Sequence, residues 1–221
     1  MEVYELSHWA DDYIENAQKI HGIACQIQTY TKRIEHGQTQ DQGKPLMQNI
    51  AVVLDYWTGA TYVGDKKKSQ LVKAFQAFFK ALYEFIIECR RNDRYFNIKK
   101  SEEILYRGSI YRYLGHRIDD IPDNSIIEPI YNDIYVSWSK NQHDINIEKK
   151  LRYPMTWMAA EIKEPDYGID LVGLSKAISE LADVKHRMAI TDEREVVFPT
   201  KSECITGIKY IDYTDEEDDN E

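Results

Sequence analysis

Val3, Leu6, Trp9, Tyr13, Ala17 and Ile20 recur at steps of three or four, and Ile23, Ile27 and Tyr30 continue the series. Apolar residues at that interval share one face of a helix, so the pattern predicts an amphipathic helix with a break near Gly22. Asp11, Asp12 and Glu15 lie off the apolar stripe. From Ile34 to Pro45 the chain turns to Gly, Gln, Asp and Pro, the composition of a loop. Leu46, Ile50, Val53 and Leu54 predict a short helix that ends at Thr58-Gly59. Ser69 is a cap for a stronger helix, whose wide apolar face holds Leu71, Val72, Phe75, Phe79, Leu82, Phe85 and Ile86. Arg90 and Arg91 suit its C-terminus, where a cation meets the negative end of the helix dipole.

After Lys100 the period shortens. Glu103 to Gly108 reads as a strand that stops at the glycine, and Ile130 to Ser139 as a second strand after a turn at Asp123-Asn124. Met155 to Ile162 reads as a third, Asp166-Tyr167-Gly168 as a turn, and Leu171 to His186 as a helix through Leu174, Ile178 and Leu181. Strands over Glu195 to Phe198 and Ile205 to Ile211 close the pattern. Helices first and strands later predict an α+β domain over residues 1–213, mainly helical over 1–95 and mainly β over 96–213.

The last eight residues, 214–221, hold six acids and no base, and read as a disordered acidic tail. They account for six of the ten excess negative charges, so the body carries only −4. A mildly acidic body argues against a nucleic-acid binder that works by bulk charge. Cys25, Cys89 and Cys204 are far apart, with no metal-type or redox-type spacing. No histidine pair has the spacing of a helical metal site, so no metal is expected. No apolar run approaches the ~18 residues of a membrane span, and the N-terminus is acidic with no signal core. The expectation is a cytoplasmic protein without a membrane partner.

The stretch Thr191-Asp192-Glu193-Arg194-Glu195-Val196-Val197-Phe198-Pro199 is unusual. Strand alternation would place Glu193 and Glu195 on one face and Arg194 on the other. Two carboxylates side by side repel, and apolar residues follow at once. Such a pair is costly unless it faces a cleft. Two earlier pieces also put polar groups at strand ends: Leu105-Tyr106-Arg107-Gly108 and Tyr135-Val136-Ser137-Trp138-Ser139.

Arginine, serine and glutamate in that order, 30 and then 58 residues apart, resemble the Arg-Ser-Glu class of mono-ADP-ribosyltransferases. The upstream Leu54-Asp55-Tyr56-Trp57-Thr58-Gly59 and the acid-apolar-proline end at Glu195 to Pro199 are similar to that family too. The resemblance spans roughly residues 50 to 213. It implies two packed antiparallel-rich sheets framing an NAD cleft. It implies transfer of ADP-ribose from NAD, as co-substrate, to a macromolecular acceptor. Glu195 would stabilise the oxocarbenium-like ribose through its 2′-hydroxyl. Arg107 would clamp phosphate or ribose, and Gly108 would bring its peptide groups to the nicotinamide amide. Ser137 would position Glu195 and the ribose. Glu193 would orient an arginine acceptor and take its proton.

The family's serine motif has threonine where this chain has Trp138, which should point away from the ligand. Tyr153, Trp157 and Tyr167 are candidates for a ring stacked on nicotinamide, and Arg152 for a phosphate contact. Protein arginine is the first choice of acceptor, in a bacterial or phage toxin or effector that an inhibitor protein or antitoxin would restrain. Three alternatives stay open: a nucleic-acid acceptor, NAD hydrolysis with water as acceptor, and a non-catalytic acidic interaction module.

Overall fold

The computed structural model describes residues 4–6, 12–38, 43–59, 66–92, 98–114, 134–142, 155–182 and 194–211. It is mixed helix and strand, with a helical N-terminal part. The chain forms two compact units, one of Met1–Tyr106 with Ile169–Thr191 and one of Arg107–Gly168 with Asp192–Glu221.

Among the described residues, five helices build the first unit: α1 (Tyr13–Glu35), α2 (Gly43–Gly59), α3 (Lys66–Arg91), α4 (Ile98–Ile104) and α5 (Leu171–Ala182). The stripe of α1 is buried as its spacing predicts, with Ile20, Ile23 and Ile27 fully inside, and the helix runs unbroken through Gly22. It packs along α3, whose Phe78, Phe79, Leu82, Phe85 and Ile86 are equally inaccessible. Each such side chain contributes about 1.5–3 kcal/mol when fully buried. The Trp57 ring meets Phe75 and Phe79 edge-on, at 4.8 Å in each case.

Residues 98–104, the start of the expected Glu103–Gly108 strand included, are helix α4; extended backbone begins only at β1 (Leu105–Tyr106). A close approach positions α4 against α5. A Cβ on Gly173 would overlap the carbonyl of Glu103, so only glycine fits there. The start of α5 is capped by Asp170, whose carboxylate accepts the backbone N–H groups of Val172 (3.0 Å) and Gly173 (3.2 Å).

The strands are β1, β2 (Gly108–Leu114), β3 (Tyr135–Ser139), β4 (Met155–Ile162), β5 (Gly168–Asp170), β6 (Glu195–Pro199) and β7 (Ile205–Ile211), preceded by a 3₁₀ turn at Ser202–Cys204. Within the second unit the order is β6-β3-β2-β4-β7. The second unit holds three long antiparallel ladders: β3 with β6, β2 with β4, and β4 with β7. The two expected sheets are therefore one. Its halves on either side of the β2/β3 junction meet at one register pair, Tyr111 with Ser139. The glycine expected to end a strand instead begins one. Gly108 sits at φ 131, which L side chains rarely adopt, and β2 runs on from it for seven residues. Among the described residues, no helix is long and apolar enough to cross a membrane.

Two predictions follow from the helical unit. Gly173→Ala should lower its stability by more than Asp170→Ala, which should cost about 1 kcal/mol as a lost cap. Urea titration of both variants measures the difference, and an unaffected Gly173→Ala would contradict the close approach. The second concerns Cys89, which is fully buried in α3; burial, then the Glu88 charge, raises its thiol pKa. Above the ordinary thiol range the unfolded chain therefore loses a proton that the folded chain keeps. Stability from this residue is present at neutral pH and falls by about 1.4 kcal/mol per pH unit as pH rises past ~9. Cys89→Ala should remove that slope, measured by urea titration from pH 7 to 10.

Candidate active site

Antiparallel partners directly opposite one another point to the same side of a sheet. The β3/β6 ladder pairs Ser139 with Glu195, Ser137 with Val197 and Trp138 with Val196. Ser137, Ser139 and Glu195 thus share one face, and Trp138, Val196 and Phe198 take the other. The second face is core: Trp138 is 2% exposed and its indole N–H donates to the Phe198 carbonyl at 3.2 Å. Trp138 thus points away from the serines, as expected from alternation.

Glu195 is half-buried at the first position of β6. Its directly opposed neighbour is Ser139; Ser137 is the diagonal one, roughly 7–8 Å away along the ladder. The Ser139 hydroxyl donates to the Asn141 carbonyl (3.0 Å) and accepts the Asn141 N–H (3.1 Å), closing a tight turn after β3. Within that turn Lys140 donates its N–H to the Arg194 carbonyl at 3.3 Å.

Arg194 has φ 47, the left-handed region, and is exposed. A non-glycine residue there costs about 1–2 kcal/mol. The strand begins at Glu195, with Arg194 outside it. Glu193, Arg152 and Tyr153 lie outside the described residues.

Arg107 precedes β2, and its guanidinium lies 3.9 Å above the Tyr167 ring. It also donates from Nε to the Asp166 carbonyl at 3.1 Å and stands 3.6 Å from the Glu164 carboxylate. Asp166 accepts an ion pair from Lys201 at 2.7 Å, which ties the chain after β6 to this loop. Tyr167 therefore serves as a seat for Arg107. The Glu164 pair involves a carboxylate 84% exposed, so it is worth little, and a phosphate can replace it at small cost. Gly108 follows Arg107 directly, and its positive φ accounts for the glycine by backbone conformation.

Trp157, a stacking candidate from sequence, belongs to a group whose other members the sequence did not single out. Tyr111 faces both Ser139 on β3 and Ala159 on β4, and Trp157 faces Tyr113 on β2 and Lys209 on β7. Tyr111, Tyr113, Trp157 and Lys209 thus lie on the Glu195 side of the sheet. The Tyr111 and Trp157 rings stack, with centroids 6.0 Å apart and planes 28° from parallel. The Lys209 ammonium lies 5.2 Å from the Trp157 ring centre. The alternation Ser109-Tyr111-Tyr113 was visible once the strand is allowed to continue beyond Gly108.

Arg194→Ile should destabilise the protein by about 1 kcal/mol relative to Arg194→Asn, because a β-branched residue is the least tolerant of a left-handed backbone and asparagine among the most. Thermal unfolding of the pair measures it, and equal midpoints would count against the strained geometry. The chain matches no family model, no curated protein and no solved structure.

Proposed function

We propose that this protein transfers ADP-ribose from NAD to a macromolecular acceptor, using Glu195 as the carboxylate that stabilises the reacting ribose. The fold assigned with it is that of the ADP-ribosyltransferases. The observation that carries the reading is the β3/β6 ladder, which aligns Ser137, Ser139 and Glu195 on one face while Trp138 fills the core behind them.

The chemistry asks little of the protein beyond position and charge. The bond between ribose C1′ and the nicotinamide nitrogen breaks, and its electron pair neutralises the departing cation. Positive charge builds on the sugar, and a fixed carboxylate beside it stabilises that state more than the substrate. Glu195 is half-buried, where the surrounding dielectric is lower than in water, so its charge acts at greater strength. A nucleophile of the acceptor then bonds to C1′ and loses its proton, the step that the resemblance gives to Glu193. Ser137, diagonal to Glu195, is placed to orient the carboxylate or the ribose. Arg107, seated on Tyr167, offers the remaining edge of its guanidinium to a phosphate. Protein arginine remains the acceptor that the resemblance favours.

Wild type should release nicotinamide from NAD, faster when cell lysate supplies acceptor. Glu195→Gln keeps the shape and removes the charge, and should lower the rate by about 10²–10³-fold. Folded wild-type protein that neither binds NAD nor releases nicotinamide, with or without lysate, would defeat the proposal.

A further inference from the structure

The half of the sheet formed by β2, β4 and β7 has two unlike faces. One is core: Ile110, Met158, Ala160 and Ile162 are 0–2% exposed. The other carries Tyr111, Tyr113, Trp157 and Lys209, half-buried or exposed, with only Ala159 and Gly207 between them. Tyrosine and tryptophan each hold a large apolar ring with a polar tip, and such side chains are enriched where one end is apolar and the other wet, as at binding surfaces. Ala159 is buried, and the Trp157 ring lies along the sheet over Gly207, where an added Cβ would meet it at 3.5 Å. The Trp157 indole N–H is itself buried and has no hydrogen-bond partner among the described residues. The other indole of this sheet, on Trp138, is satisfied by a backbone carbonyl.

We propose that this face is a stacking platform for a base of a single-stranded nucleic acid. A flat ring stacks on Tyr111 or Trp157, and Lys209 meets the adjoining phosphate. Stacked rings flanked by a cation are the composition that takes unpaired bases without reading their sequence. The platform lies on the face that bears Glu195. Tyr111 is two strand spacings from it, about 10 Å, through the single row Tyr111–Ser139–Glu195. A strand stacked there presents its neighbouring nucleotide to the Glu195 site, which makes a nucleic acid the acceptor. That last step rests on the proposed transferase activity; the binding itself does not.

The acidic net charge of −10 bears on how the strand is held rather than on whether it is held. One lysine at the rings predicts binding dominated by stacking, with a shallow salt dependence. For single strands each paired phosphate contributes a slope of about −0.7 in log affinity against log salt.

The test uses the full chain and a fluorescein-labelled twelve-nucleotide RNA of unstructured sequence, its DNA counterpart and its duplex, all without NAD. Single strands should bind and the duplex should not, because its bases are already stacked. Tyr111→Ala should weaken binding roughly tenfold or more, and Tyr111→Phe should retain it. Lys209→Glu should weaken it and flatten the salt slope. Absence of strand binding by folded wild type, equal affinity in Tyr111→Ala, or a salt slope steeper than about −3 would overturn the platform. A further arm offers NAD or ADP alone. If they bind through Tyr111 and strands do not, the platform serves the dinucleotide and the inference fails. Strand binding without label transfer from NAD would leave the platform standing and count against the transferase.

Discussion

Side-chain alternation in the β3/β6 ladder is the constraint on which the candidate site depends. Five residues of each strand are aligned, and a period of two divides their ten side chains between two faces at once. Both faces are largely buried, Val197 and Ser139 on the Glu195 side and Val196, Phe198 and Trp138 on the other, and a slip of one residue would exchange all of these side chains between the two faces. Trp138 contributes most to fixing the register. Its ring fills the core side, and its N–H reaches across the ladder to Phe198. The serines on either side of it are held by a core residue they do not touch.

The left-handed Arg194 belongs to the same arrangement. The β3 strand must turn away after Ser139, and the chain must enter β6 at Glu195. The Ser139–Asn141 turn supplies the first reversal, and the Lys140 N–H to the Arg194 carbonyl joins the two strand ends. A strand with Glu193 and Arg194 in ordinary extended conformation would lengthen β6 backwards past the end of β3. The left-handed Arg194 coincides with the start of the strand, leaving Glu195 at a strand terminus.

Much of this was legible from residue order because burial leaves a period. The α1 and α3 stripes were visible at 3.6, and β3, β4, β6 and β7 at 2, and the serines were assigned to one face on that ground alone. The misses have local causes. Residues 98–104 mix lysine, serine and glutamate with few apolar positions, so a short helix left no stripe. Glycine usually weakens strands, so Gly108 reads as a terminator; in the structure it has a positive φ and begins β2. Stopping there hid the Tyr111 and Tyr113 alternation, and with it the aromatic face. Arg194 gave no warning, since arginine has no preference for a left-handed backbone. Nor does any sequence pattern state which strands become neighbours, so Tyr111 opposite Ser139 could not be read in advance.

That pairing also bears on what the site can act upon. The β3/β6 half carries the carboxylate and the serines; the β2/β4/β7 half carries the rings. Longer pairing between β2 and β3 would have continued the two halves as an ordinary ladder. Joined at one register pair, they keep Tyr111 in line with Glu195 without a further ladder to constrain the strands on either side. A carboxylate alone cleaves or stabilises without choosing its partner, because charge acts over several ångströms and carries no shape. Flat rings held at a fixed distance from it supply the shape. If the proposed transfer holds, acceptor choice would be set by the aromatic half of the sheet, and the reaction by the half that bears Glu195.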